Sequence, residues 1–169
     1  MKTTKEIPYA VAAIIPKFQL IATKENLEEF NEAIERLYIA LTKCPKIGET
    51  DGMKEHPAIL HYFIGGNDHY ICEYDPERKL MFGYAILNGD LQNSEWGYIS
   101  LEELTNCKYT NIDYHFEEQT VEAALYKKYP KYFKKPPSLR QEAADKLAEH
   151  FHKTANIPLS KNFEFVAFC

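Results

Sequence analysis

The chain has 169 residues, with 20 Lys and Arg against 25 Asp and Glu, for a formal net charge of −5. That length suits one domain that buries roughly 70% of the surface its unfolded chain exposes, and the acidic balance argues against a surface built to coat nucleic acid. Cys44, Cys72, Cys107 and Cys169 are scattered, forming neither a metal knuckle nor a dense disulfide framework, so reduced thiols in a cytoplasmic protein are expected.

At the N-terminus, Lys2 and Lys5 precede an apolar run over 7–15 that superficially resembles a signal peptide. Pro8 and Pro16 interrupt the run, Lys17 follows at once, and no small-x-small cleavage pattern is in place. A buried edge strand over 7–15, continuing through 18–22, is the expectation. No run approaches the roughly 20 apolar residues that span a bilayer, so no membrane association is expected.

Between 24 and 43, Leu27, Phe30, Ile34, Leu37, Tyr38 and Leu41 step by three and four and form one helical stripe. Thr23 or Asn26 can cap its start, the acids Glu25, Glu28 and Glu29 suit the positive end of its dipole, and Pro45 ends it. Residues 46–55, with Gly48 and Gly52, read as a loop.

The next sixty residues carry the strongest signal. Apolar and aromatic runs over 59–64, 70–74, 80–87, 95–99 and 112–116 alternate with turn words at 65–68, 75–79 and 88–90. The pattern predicts an antiparallel meander. If 75–79 is a hairpin loop in which Tyr74 opposes Leu80, then Tyr70, Cys72, Tyr74, Leu80, Phe82, Tyr84 and Ile86 share one face. His69, Ile71, Glu73, Met81, Gly83, Ala85 and Leu87 share the other. Gly83 and Ala85 would leave a shallow groove beside Glu73.

Ser100-Leu101-Glu102-Glu103 is a capping box, so a short helix through Leu104 should follow directly. A helix over 118–128, with Val121, Ala124 and Leu125 inward, is expected next. Pro136-Pro137 breaks the chain. Ser138 with Gln141 then opens a last helix to about Lys153, with Leu139, Ala143, Leu147 and Phe151 as its inner stripe. Alternation over 163–168 predicts a closing strand. Helices before, between and after the strands make the fold α+β, an antiparallel β-meander sheet packed by N- and C-terminal helices. One domain over 1–169 is expected, with a β core at 56–118 and helical flanks, carrying edge strands, at 1–55 and 119–169.

Within that core, His69-Tyr70-Ile71-Cys72-Glu73-Tyr74-Asp75, Phe82-Gly83-Tyr84, the stretch from Glu95-Trp96-Gly97-Tyr98 to Leu104, and Asp113-Tyr114-His115-Phe116 follow one another in order. In that order they resemble the bacterial domain-of-unknown-function family DUF 2958 over about residues 56–118. Tyr70 stands where many of its members have tryptophan. The family is associated with plasmids, phages and integrative elements, so the resemblance implies an accessory role. It implies no reaction and no catalytic residue.

Two groups of side chains are candidates for function. Glu73, Tyr84, Glu95, Trp96, Tyr98 and His115 are the candidate binding groove, and Glu73, Glu95, Asp113 and His115 could converge for general acid–base work or a hard cation. The plainer expectation is that a helix fills the groove and that Glu73 bonds a backbone amide or a basic side chain. His69-x-x-Cys72 with His61 lacks a second ligand pair, so no zinc site and no cofactor is expected. The second group is Lys127, Lys128 and Lys131, from a segment at 126–135 where five lysines interleave with aromatics and could meet phosphates and stack bases. Its plainer reading is a connector whose aromatics pack while its lysines stay in water. Three functions follow in order. The first is a non-enzymatic accessory protein that binds another protein through exposed aromatics around Trp96 and Tyr98 or through its acidic surface. The second is a nucleic-acid-associated factor, and the third a small hydrolase or metal-dependent enzyme.

Overall fold

The computed structural model describes residues 6–155. The strand expected over 163–168 lies outside them. The first departure from expectation comes at the N-terminus, where two helices, α1 (Tyr9–Ile14) and α2 (Lys17–Glu25), replace the expected edge strand. Pro8 and Pro16 stand at the two N-cap positions. Proline there fixes a suitable backbone and wastes no donor, so the residues that break a strand are the ones that start these helices. Val11, Ile14 and Ile15 are fully or almost fully buried, at a spacing a helix can put on one side.

Asn26 separates α2 from α3 (Leu27–Lys43), so the expected helix over 24–43 starts three residues late. Ala33, Ile34 and Leu37 are its buried residues, and Tyr38 is half-exposed, outside the stripe. After the loop, β1 (Pro57–Ala58) is followed by β2 (Leu60–Ile64), β3 (Asn67–Asp75), β4 (Leu80–Leu87) and β5 (Asp90–Ser100). Then come α4 (Leu101–Asn106), β6 (Asn111–Ile112), β7 (Gln119–Thr120), α5 (Val121–Lys128) and α6 (Pro137–Ala155). One antiparallel sheet has the order β5-β4-β3-β2-β6, and β1 pairs with β7 in a second, two-stranded sheet. The fold is α+β.

The turns set the register. Asn88 and Gly89 both adopt positive φ, 53° and 70°, between paired Leu87 and Asp90, as a two-residue hairpin turn that follows the strand twist requires. Tyr70 pairs with Tyr84 and Ile71 with Gly83, as the expected hairpin has it, but Tyr74 pairs with Met81 and Glu73 with Phe82. A bulge between Ile71 and Glu73 absorbs the one-residue difference. Such a slip exchanges faces: Tyr74 packs toward the main core, and Glu73 sits opposite Phe82 instead.

Two apolar clusters flank the sheet. On one side, α1, α3 and α4 cover Leu60, Tyr62, Ile71, Met81 and Ile99; on the other, α5 covers Tyr70, Cys72, Tyr84 and Ile86. Ser100 Oγ accepts from the Glu103 amide and caps α4, as the capping box predicts. The strand expected over 112–116 ends at Ile112, because the Asp113 carboxylate takes the His115 amide and turns the chain. In α6, Ala143 and Leu147 are exposed rather than inward.

Candidate functional site

The proposed carboxylate–imidazole cluster does not assemble. Glu73, 1% exposed, accepts from the Gly48 amide at 2.7 Å, the Thr50 amide at 2.8 Å and the Thr50 hydroxyl at 2.5 Å. A buried carboxylate needs such donors, and these three tie the 46–55 loop to β3. Glu95 is exposed and pairs across the sheet with Ala85, which in turn pairs with His69. The small side chain between them leaves an open groove of about 410 Å³ lined by His69, Glu95, Gly97 and Glu103. His69 Nδ1 is buried there without a hydrogen-bond partner, and burial lowers the pKa of the ring. The groove expected beside Glu73 therefore lies beside Glu95 and His69. His115 is exposed in the turn after β6.

Asp113 belongs to a different assembly, which no single sequence motif announces. Its carboxylate lies 3.3 Å from His61 Nδ1, and Asp68 lies 2.9 Å from His61 Nε2. The ring stacks on Tyr70 at 4.7 Å. Asp68, 2% exposed, also receives Lys128 Nζ at 2.6 and 2.8 Å. Burial alone would raise the Asp68 pKa, but the hydrogen bonds and charges of His61 and Lys128 hold it below the ordinary carboxylate value. The expected phosphate contacts thus divide. Lys128 is spent on Asp68, and Lys127 donates to Gln119. Lys131 remains exposed, while Tyr129 and Phe133 pack against the α5-side core.

The remaining candidates lie along β5. Tyr84 is nearly buried, with its hydroxyl 2.7 Å from Ser94 Oγ. Trp96 is half-buried, tilted 4.3 Å from His56, edge-on to Tyr84 at 5.2 Å and stacked with Phe82 at 6.0 Å. His56 is in turn fixed by Glu122 at 2.8 Å. Tyr98 meets Phe82 edge-on at 5.5 Å and is 67% exposed. Phe82, Trp96 and Tyr98 therefore make a continuous aromatic row that emerges into solvent at Tyr98. β5 is also the outer strand of its sheet, and among the described residues no strand pairs with its free side. A bulge interrupts its pairing with β4 between Ala85 and Leu87, where the Asp90 carboxylate takes the Gln92 and Asn93 amides. The regular free edge is therefore residues 95–100, which hold no proline and no lysine to blunt it and Glu95 as the one charge.

Among the described residues, no helix is long and apolar enough to cross a membrane, and no group of three or more His, Cys, Asp or Glu is placed to hold a metal ion. Comparison with protein-family models, with curated proteins and with solved structures finds no match for this chain.

Proposed function

We propose that this chain is a non-enzymatic accessory protein that acts by binding another protein through the free edge of β5. One observation carries the reading: the unpaired edge of β5 over residues 95–100 runs beside the aromatic row Phe82–Trp96–Tyr98. An extended segment laid against it would satisfy the outward backbone groups, and its alternate side chains would meet that row. Exposed tyrosine contributes a large amphipathic contact at little conformational cost. The DUF 2958-like motifs of residues 56–118 add only an accessory, cytoplasmic role on bacterial mobile elements to this reading, and no family model matches the chain. The acid–base alternative has less support, because Glu73, Glu95 and His115 occupy separate surroundings. The nucleic-acid alternative loses Lys128 to Asp68.

Tyr98 and Tyr109 give a matched test, being 67% and 68% exposed. Peptides selected from a displayed library on the full chain should lose binding to Tyr98→Ala and keep it to Tyr109→Ala. Selected peptides that bind both variants alike would remove β5 from the account.

A further inference from the structure

A second surface has a different chemistry. Between α1, α2, α4 and the β3–β4 turn lies an open cavity of about 600 Å³, within the size range of small-molecule sites. Lys17, Lys24 and Lys79 all line it, and Glu102 is the only acid among the lining residues. Among the described residues, none of the three lysines has a carboxylate partner. The lining thus carries three lysines to one acid in a chain of net charge −5.

Two of these lysines stand where the fold alone would not choose them. Lys17 is the first residue of α2, whose first turn holds no acid; a cation there opposes the positive end of the helix dipole. Lys79 adopts φ +50° at the end of the hairpin loop, in the left-handed region where glycine or asparagine is the low-cost residue. Non-glycine residues kept in such conformations cluster at functional sites. The same cavity offers flat and apolar surface. Tyr9 is 90% exposed, Tyr74 is half-buried, and Ala12 and Ala13 lie between the polar positions.

We propose that this cavity binds a phosphorylated small molecule carrying a planar ring, of the nucleotide class. Lys17, Lys24 and Lys79 hold the phosphates, and Tyr9 takes the ring. Lysine is suited to phosphate as a mobile point charge with three donors, and an exposed tyrosine supplies a stacking face. Spacing along the chain joins only Lys17 and Lys24, two turns apart on α2, whereas Lys79 comes from the distant β3–β4 turn.

Calorimetric titration of the full chain with ATP, tripolyphosphate and adenosine tests the assignment. ATP should bind with a Kd on the order of 0.1 mM at low salt, and each fragment about tenfold more weakly. Lys17→Gln and Lys24→Gln should each weaken ATP about tenfold, while Lys127→Gln, which alters the other lysine segment, should leave it unchanged. Lys79→Gly separates binding from folding: it should weaken ATP while the melting temperature holds or rises, since glycine relieves the positive φ. ATP binding that is lost in Lys127→Gln and kept in Lys17→Gln would overturn the site. No heat of binding, or tripolyphosphate bound as tightly as ATP, would overturn the nucleotide class.

Discussion

Gly83 and Gly97 face each other across β4 and β5, and replacing each with alanine should give opposite results. Both adopt backbone conformations open to any residue, so their difference is one of space. A β-carbon on Gly83 would lie 2.0 Å from the Tyr70 carbonyl oxygen and 3.0 Å from Ile71 Cα. Those are backbone atoms beside the β3 bulge, with no rotamer to give way. A β-carbon on Gly97 would meet nothing within 4 Å. Alanine in a strand is otherwise worth about 0.5–1 kcal/mol over glycine, so Gly97→Ala should stabilise by about that much. Gly83→Ala must separate the strands or flatten the bulge, and overpacking of this kind costs about 3 kcal/mol or more. For a chain of this size 1 kcal/mol shifts Tm by about 2–4 °C. Thermal and urea unfolding should therefore show Gly83→Ala lower by about 6–12 °C and Gly97→Ala slightly higher. Equal shifts for the two variants would refute the close approach of Tyr70 to Gly83.

Further outcomes follow from the buried polar groups. Glu73→Ala should destabilise by about 2–4 kcal/mol in urea unfolding, because it strands the Gly48 and Thr50 amides. Asp68 is held below its ordinary value of 3.8, so its contribution is complete above that pH and is lost as pH falls through the lowered folded value. The stability gap between the native chain and Asp68→Asn should therefore narrow below about pH 4. Burial pushes the Cys44 thiol up to about 12 and that of Cys72 higher still. Alkylation at pH 8 followed by peptide mapping should modify exposed Cys107 quickly, and Cys44 and Cys72 only on unfolding.

The meander was legible because its turns are local chemistry. Asn88-Gly89 can hardly be anything but a hairpin turn, and strand alternation places most side chains once one pair is known. The bulge at Cys72 was not legible, because inserting one residue changes no composition. It exchanges the faces that Glu73 and Tyr74 occupy and so misplaces the groove. Pro8 and Pro16 are ambiguous for a related reason, since proline that ends a strand also starts a helix. The α6 stripe has helical period but faces solvent at Ala143 and Leu147, and periodicity alone cannot supply a surface to pack on. The edge position of β5 and the pairings of Asp68 and Asp113 with His61 depend on sheet order and long-range contacts, which spacing along the chain does not encode.

Amide hydrogen exchange along β5 is the most direct test of partner binding through this edge. In the free chain, the amides of β5 that point away from β4 should exchange quickly, while those paired to β4 stay protected. Adding a peptide selected on the full chain should protect the outward set over residues 95–100, where β5 pairs regularly with β4, and Tyr98→Ala should abolish that protection. Protection that appears elsewhere while the outward β5 amides continue to exchange freely would contradict the account.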